Sequence, residues 1–500
     1  MKNKSVVAWT TLLTGLWPLQ QVQCAGLPLE ELPTSISTRF DNIRLPGHER
    51  LGLLNAAYLV QAGTHDWLGP AVTGAATGQR GGLFVLGGQW EHRWRLGDRW
   101  RAQTGLFAGG GGGAAAPVGS GLMLQPSISL LRQWGGWHAG VSASRVLFTD
   151  GRIHSNQLGL IVQWDGATRY FRAGQIGNEL GSSTERTGLG VDRVAPTWSR
   201  YTFKTPTGSH PSISLIGIRA EQDWDNGFYG GLESAAATHG GADGYMEILG
   251  LAGWATRPAP SQLPGLHLGA KAALGLGGGG AVPTGGGGIG KLAGTLRWDI
   301  GSQAFVGAEA GWANSLRARP ASGPFQARYA QVFAGWTLGG AAAPANATVN
   351  GMDWSASLQH VARAKRKDGS VQSLDTMGIK ANYWQGPHWY LTGQAHSAFA
   401  GHAGAYSVGL FGVGWTHRPG ENYWANPFTV GAEAMVGAAG GGGVDTRGGA
   451  IAQGLLSVGY QLSRRSQFQI GIGQVKSFKP GGLNSPVLDI SWTMTLGVGR

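Results

Sequence analysis

The stretch "PVLDISWTMTLGVGR" at residues 486–500 leaves few folds open. From Leu488 onward every second residue is large and apolar: Leu488, Ile490, Trp492, Met494, Leu496 and Val498. The residues between are polar or glycine: Asp489, Ser491, Thr493, Thr495, Gly497 and Gly499. A period of two describes a β-strand with unlike faces. In a sandwich the apolar face packs on a second sheet. In a barrel that crosses a bilayer it meets lipid, and the polar face lines the lumen. The run covers roughly 11 to 13 residues, against about 5–6 for an ordinary strand and about 9–11 for a tilted spanning strand. Length therefore favours the bilayer, with Met494 toward lipid and Thr493 toward the lumen.

Internal repetition sets the architecture. The segments "GGLFVLGGQW", "YMEILGLAGW" and "SVGLFGVGW" end at Trp90, Trp254 and Trp415. Each is followed by a glycine run: Gly109 to Gly113, Gly277 to Gly280 and Gly440 to Gly443. The chain is thus three units of about 160 residues. Alternation and turn residues divide the first unit into strands near 53–62, 68–76, 82–95, 99–108, 120–134, 137–148, 156–164 and 167–174. The third unit holds one fewer, and "TSISTRFDNIRL" at 34–45 supplies a strand at the front. The sum is about 24 strands, an even number as single-chain bacterial barrels require. The expectation is one large closed antiparallel barrel over residues 25–500, with repeats at 34–174, 205–338 and 348–500. Residues 175–204 are read as a long loop or plug. The last strand is expected to close the barrel against the first.

Composition agrees with an exported all-β chain. Lys2 and Lys4 precede a short apolar stretch, and "VQC" then offers a cleavage site, so residues 1–24 read as a secretory signal peptide. Cys24 is the only cysteine, which leaves no disulfide framework or thiolate metal site in the mature chain. No later run reaches the ~18 apolar residues of a transmembrane helix. Glycine supplies 89 of 500 residues, which argues against long helices. With 21 tryptophans and 13% charged residues, disorder is excluded as well.

Tight connections alternate with longer ones. "WRLGDRW" (94–100), "WGGW" (134–137), "WDNGF" (224–228) and "WQGPHW" (384–389) are tight and flanked by aromatics. Rings at that height suit an interfacial girdle. Short turns on one side and long loops on the other are the pattern of an outer-membrane barrel. Across nearly the whole mature chain the sequence resembles Gram-negative outer-membrane β-barrel proteins. The resemblance implies the cell outer membrane as location, and membrane lipid, lipopolysaccharide and the outer-membrane assembly machinery as partners. Such chains usually finish on an aromatic residue that the machinery reads. This one finishes Gly499-Arg500, with Trp492 the nearest aromatic upstream.

Motifs for chemistry are few. "TGGGGIGKL" places Gly285, Gly290 and Lys291 as in a phosphate-binding loop, but Leu292 stands where Ser or Thr must hold Mg²⁺, and strand follows in place of helix. Neither H-E-x-x-H nor G-x-S-x-G occurs, so no enzyme, metal or cofactor is expected. The net charge of +12 suits anionic surroundings. Arg363, Lys365, Arg366 and Lys367 concentrate it in an expected long loop, and Arg93, Arg95, Arg99 and Arg101 flank one tight turn. Export argues against nucleic acid as partner.

The expected function is a channel for a large or polar solute, polysaccharide export among the options. Gln89, Glu91, Arg93, Gln157, Gln163 and Thr493 are the lumen-lining candidates. The glycine runs are read as bends over the pore mouth, or as a gate. The alternative function is a filled barrel serving as a surface binding or structural protein, a receptor or matrix anchor. An outer-membrane enzyme comes third.

Overall fold

The computed structural model describes residues 27–180, 186–207, 210–256, 264–316, 325–338, 348–417 and 427–499. The expected signal peptide at 1–24 lies outside them. The described chain is almost wholly antiparallel strand. β1 (Glu30–Arg44), β2 (Arg50–Gln61), β3 (Asp66–Thr77), β4 (Phe84–Leu96), β5 (Trp100–Gly112), β6 (Leu122–Trp134), β7 (Trp137–Phe148) and β8 (His154–Tyr170) form one closed barrel. A second is built from β9 (Arg193–Thr207), β10 (His210–Asp223), β11 (Phe228–His239), β12 (Met246–Ala255), β13 (Leu266–Gly278), β14 (Gly288–Ile300), β15 (Ala304–Ser315) and β16 (Gln326–Thr337). The third holds β17 (Val349–Lys365), β18 (Val371–Trp384), β19 (Trp389–Ala400), β20 (Ser407–His417), β21 (Phe428–Gly440), β22 (Ala450–Ser463), β23 (Ser466–Ser477) and β24 (Asn484–Gly499).

The single wide barrel expected from the sequence is therefore replaced by three narrow ones. β1 closes on β8, β9 on β16 and β17 on β24. The last strand pairs with β17 rather than with the first strand of the chain. Alternation counts strands and assigns faces, but it is indifferent to which strand closes on which. What decides closure here is filling. An eight-stranded barrel has an interior just wide enough for side chains to occupy, and the inward residues are long, charged and mutually complementary. Two further expectations change. Strands read at 156–164 and 167–174 are one strand, β8. The proposed plug at 175–204 is partly barrel wall, since β9 begins at Arg193.

The described residues before β9 join the first two barrels and pack against the end of the third. Phe171 and Gly497 exchange two backbone hydrogen bonds of 2.8 Å. The amide of Gly499 donates to Thr187 Oγ1 at 2.6 Å. Leu496 and Val498, expected to face lipid, are consequently buried at this junction. Asp192 is also buried there and accepts from the Asp223 amide at 2.6 Å; burial holds its carboxyl above the usual range.

An even strand number returns every barrel to the same end, so termini and the tight turns share one side. Exposed aromatics gather there, among them Trp94, Trp100, Trp134, Trp137, Phe228 and Trp389. Between that girdle and the loop end the outward face is aliphatic, with Leu160, Leu232, Leu292 and Leu456 exposed at mid-strand. Trp90, Trp254 and Trp415 fall on β4, β12 and β20, the fourth strand of each barrel, in agreement with the repeat.

Candidate functional site: the filled lumens and the ring of barrels

Inward positions carry the charge. In the first barrel Glu91 accepts from Gln89 Nε2 at 2.6 Å, Arg93 Nη2 at 2.7 Å and Gln163 Nε2 at 3.0 Å. Asp165 accepts from Ser35 Oγ at 2.8 Å and Arg101 Nη2 at 2.6 Å. Higher up, Asp41 pairs with Arg39 at 3.0 Å and accepts from Gln125 Nε2 at 2.7 Å. The second barrel holds the densest network. Lys271 Nζ donates to Glu233 at 2.7 Å and Glu309 at 2.5 Å, and Lys291 Nζ to Glu233 at 2.8 Å and Glu247 at 2.6 Å. Arg219 also bonds Glu309, and the hydroxyls of Tyr201 and Tyr245 donate to Glu247. In the third, Lys380 pairs with Glu433, and Tyr390 donates to Glu433 at 2.8 Å. Asp489 accepts from Ser357 at 2.6 Å and Gln359 at 2.9 Å.

An apolar cap lies above these groups at the loop end of each lumen. Leu51, Leu83, Met123 and Phe148 supply it in the first barrel, Phe203, Ile213, Tyr245 and Phe325 in the second, and Leu374, Tyr406, Val444 and Leu483 in the third. Among the described residues the lumens are thus occupied by packed side chains.

All six lumen candidates lie on inward faces, yet they form no single wall. Gln89, Glu91, Arg93 and Gln163 meet in one cluster. Gln157 sits higher on β8 and donates to Ser144 at 2.8 Å. Thr493 belongs to the third barrel, 2.8 Å from Ser355 Oγ. Lys291, seen in the sequence beside a phosphate-loop pattern, is a lumen residue of β14. The paired charges of the second and third barrels went unread, although charges at inward positions of spanning strands were their visible signal.

The basic segment is a turn and not a long loop. Arg363 is exposed on β17, and Lys365 Nζ donates to Gly481 O at 2.7 Å. Arg366 is buried and donates to Gly442 O at 2.9 Å and Gly401 O at 2.7 Å. Lys367 crosses to the second barrel, 2.7 Å from Asp243. Asp368 accepts from the Ser370 amide and hydroxyl, and these bonds hold its carboxyl below the usual range.

The glycine runs bend the chain, with positive φ at Gly113, Gly278, Gly279, Gly280, Gly441, Gly442 and Gly443, and they also form contacts between barrels. The third strand of each barrel meets the fifth of another: β3 with β13, β11 with β21, β19 with β5. The three contacts close a ring. At each, a glycine-run residue of one barrel lies against a loop of the next. A Cβ on Gly112 would stand 2.6 Å from Gly404 O, and one on Gly440 would stand 2.7 Å from the Asp243 carbonyl carbon. Small residues permit such close approach between membrane segments. The Gly81 amide donates to Gly285 O at 2.9 Å, and the His402 amide to Ser120 Oγ at 3.2 Å, across two of the contacts.

This close approach is testable. A Cβ on Gly110 would fall 2.6 Å from Ser397 O and 2.8 Å from Ala398 O, backbone atoms that cannot swing aside. Gly110→Leu is expected to cost about 1–3 kcal/mol by overpacking and to part the first and third barrels. A Ser120→Cys/His402→Cys disulfide should form efficiently in the parent and poorly in the leucine variant. Equal cross-linking in both would refute the contact.

No protein-family model matches the sequence, and no curated protein matches it. Solved structures overlap it loosely. The FrpB iron transporter of Neisseria meningitidis is 8% identical with a TM-score of 0.30, covering 94% of this chain and 82% of its own. The siderophore receptor PirA of Pseudomonas aeruginosa is 9% identical with a TM-score of 0.29, covering 93% and 80%. The outer membrane protein opdK of the same organism is 9% identical with a TM-score of 0.22, covering 94% and 99%. At such overlap these proteins carry no inference about this one. Its own surface does: closed barrels leave no strand edge in lipid, and an aliphatic belt with an aromatic girdle surrounds them. The chain folds as three narrow closed β-barrels in place of a wide one, and their outer belt has the make-up of a bilayer-spanning surface.

Proposed function

We propose that the protein is a surface platform: a filled three-barrel body that anchors outward loops for a binding or structural partner. The carrying observation is the packing of each lumen, charged network below and apolar cap above. The loop end is basic, with Arg44, Arg50, Arg152, Arg363, Arg447 and Lys479 exposed, which favours an anionic partner such as the phosphates of lipopolysaccharide. Conductance in planar bilayers tests the reading. The protein is expected to insert without steady current steps. Large, steady openings would overturn it.

One observation favours a narrower version of passage. In the third barrel Asn382 Oδ1, Thr392 Oγ1, both amide atoms of Gln394, His396 Nε2 and Gln453 Nε2 are buried with no protein partner, as are Asn55 Oδ1, Gln103 Oε1 and Gln125 Oε1 in the first. Buried polar atoms of this kind are satisfied by water. A hydrated lumen of that width suits small polar solutes, whereas a polysaccharide has no lumen of its own diameter in an eight-stranded barrel. Small, cation- or anion-selective steps that vanish when Gln394 is enlarged to Trp would support this second reading.

A further inference from the structure

Among the described residues, the strands bearing the repeated tryptophans are covered on their outer faces only in part: β4 touches β18 and β19 of the third barrel, yet Trp90 on β4 and Trp254 on β12 are exposed. β3 leans on the second barrel and β5 on the third, so β4 between them faces the axis of the ring. β12 and β20 stand in the same place in their barrels. Near the loop end these outer faces enclose a cavity of about 400 Å³, with Phe84, Ile248 and Phe411 on its wall. The glycine contacts close it above. Downward the barrels part: along β4 exposure rises from 3% at Phe84 to 39% at Trp90. The space is a shaft, shut at the loop end and open toward the turns.

Its glycines differ from those of the contacts. A Cβ on Gly409 would meet nothing within 4 Å, while one on Gly250 or on Gly88 would meet a single backbone oxygen at 3.8 Å. These three glycines, one per barrel, permit no close packing; they keep the shaft wide. Glycine inside a strand weakens it and marks a place where something else approaches. The lining is mostly apolar, with Ser234, Asp243, Gln394 and His396 among its polar members, and a mostly apolar wall holds water weakly. At the open end stand the indoles, Trp90 donating to Asp66 at 3.1 Å and Trp254 to Asn226 O at 3.2 Å, as rings do at headgroup level.

We propose that this shaft is a binding site for phospholipid acyl chains drawn from the periplasmic leaflet. The occupant must be apolar to match the wall. It must come from the turn side, because the outer end is shut. The lipid-facing belt of the barrels runs into the same opening. The site is independent of whether the lumens conduct.

Native mass spectrometry of the full chain after exhaustive detergent exchange tests this. The parent protein is expected to retain phospholipid. Gly250→Leu/Gly409→Leu fills the shaft, and loss of contact for about two methylenes corresponds to about tenfold weaker retention. Gly294→Leu is the control, since that glycine faces lipid on β14 with nothing near its Cβ; retention should be unchanged. Heat-modifiable mobility verifies folding of each variant, and Gly88→Leu replaces the double variant if the latter misfolds. Absence of lipid from the parent, retention of lipopolysaccharide alone, or equal retention in the filled variant would each overturn the proposal.

Discussion

Lys380→Met is expected to destabilise the protein by about 3–5 kcal/mol, because it strands Glu433 as a charge in a packed lumen. Both side chains are almost fully buried. The Tyr390 hydroxyl remains as a donor to Glu433, but a neutral hydroxyl does not offset a carboxylate in low dielectric. Lys380→Met/Glu433→Gln removes both charges and keeps the hydrogen bond from Tyr390. It is expected to recover most of the loss, since replacing a whole buried pair is often neutral. Urea unfolding in detergent, followed by tryptophan fluorescence, gives both numbers. Were the double variant as unstable as the single, unpaired charge would not be the cause.

A depth series along β22 reads the bilayer itself. Leu456, Val458 and Tyr460 all face outward and lie progressively nearer the turn-end girdle. Arginine at the midplane of a membrane strand costs about 2–4 kcal/mol and near the interface about 0–1. Leu456→Arg is therefore expected to be the most harmful, Val458→Arg intermediate and Tyr460→Arg nearly neutral, measured as folded fraction by heat modifiability. A flat series would remove this face from lipid. Thr493→Arg behaves differently from the reading of an open lumen, which would tolerate it. Thr493 is packed against Ser355 inside the third barrel, so the added guanidinium is expected to overpack the lumen and lower the folded fraction.

Strand number, strand faces and the threefold repeat were legible because each follows from a local period. Met494 and Thr493 fall on the faces that the alternation of the last strand gives them. Of the repeat bounds, 205–338 leaves out nearly all of β9, which the second barrel includes, because the stretch before residue 205 reads as loop. Closure was not legible, since pairing of β1 with β8 or of β17 with β24 joins residues more than a hundred positions apart. A clue existed in side-chain size: Arg219, Lys271, Lys291 and Glu309 are inward residues too long to coexist unless they meet across a small lumen. The glycine runs were legible in part: their bends hold, with positive φ at Gly278, Gly279, Gly280, Gly441, Gly442 and Gly443, while their close approach to another barrel shows only once a neighbouring surface is in place. The basic turn misled, as Arg366 spends its charge on carbonyl groups of its own barrel and not on solvent.

Covalent linkage also changes what the ring can become. In a homotrimer every protomer carries the same sequence, so any change in one barrel is repeated in all three, and the interface must suit itself. Here the three barrels are held by one chain at high effective concentration, and each contact joins two different surfaces. A substitution in the lumen of one barrel leaves the other two untouched. The unlike interiors express that freedom: arginine and glutamine gathered on Glu91 in the first, a lysine–glutamate lattice in the second, a single lysine–glutamate pair among other polar groups in the third. One molecule can thus specialise three compartments separately while keeping a single assembly geometry.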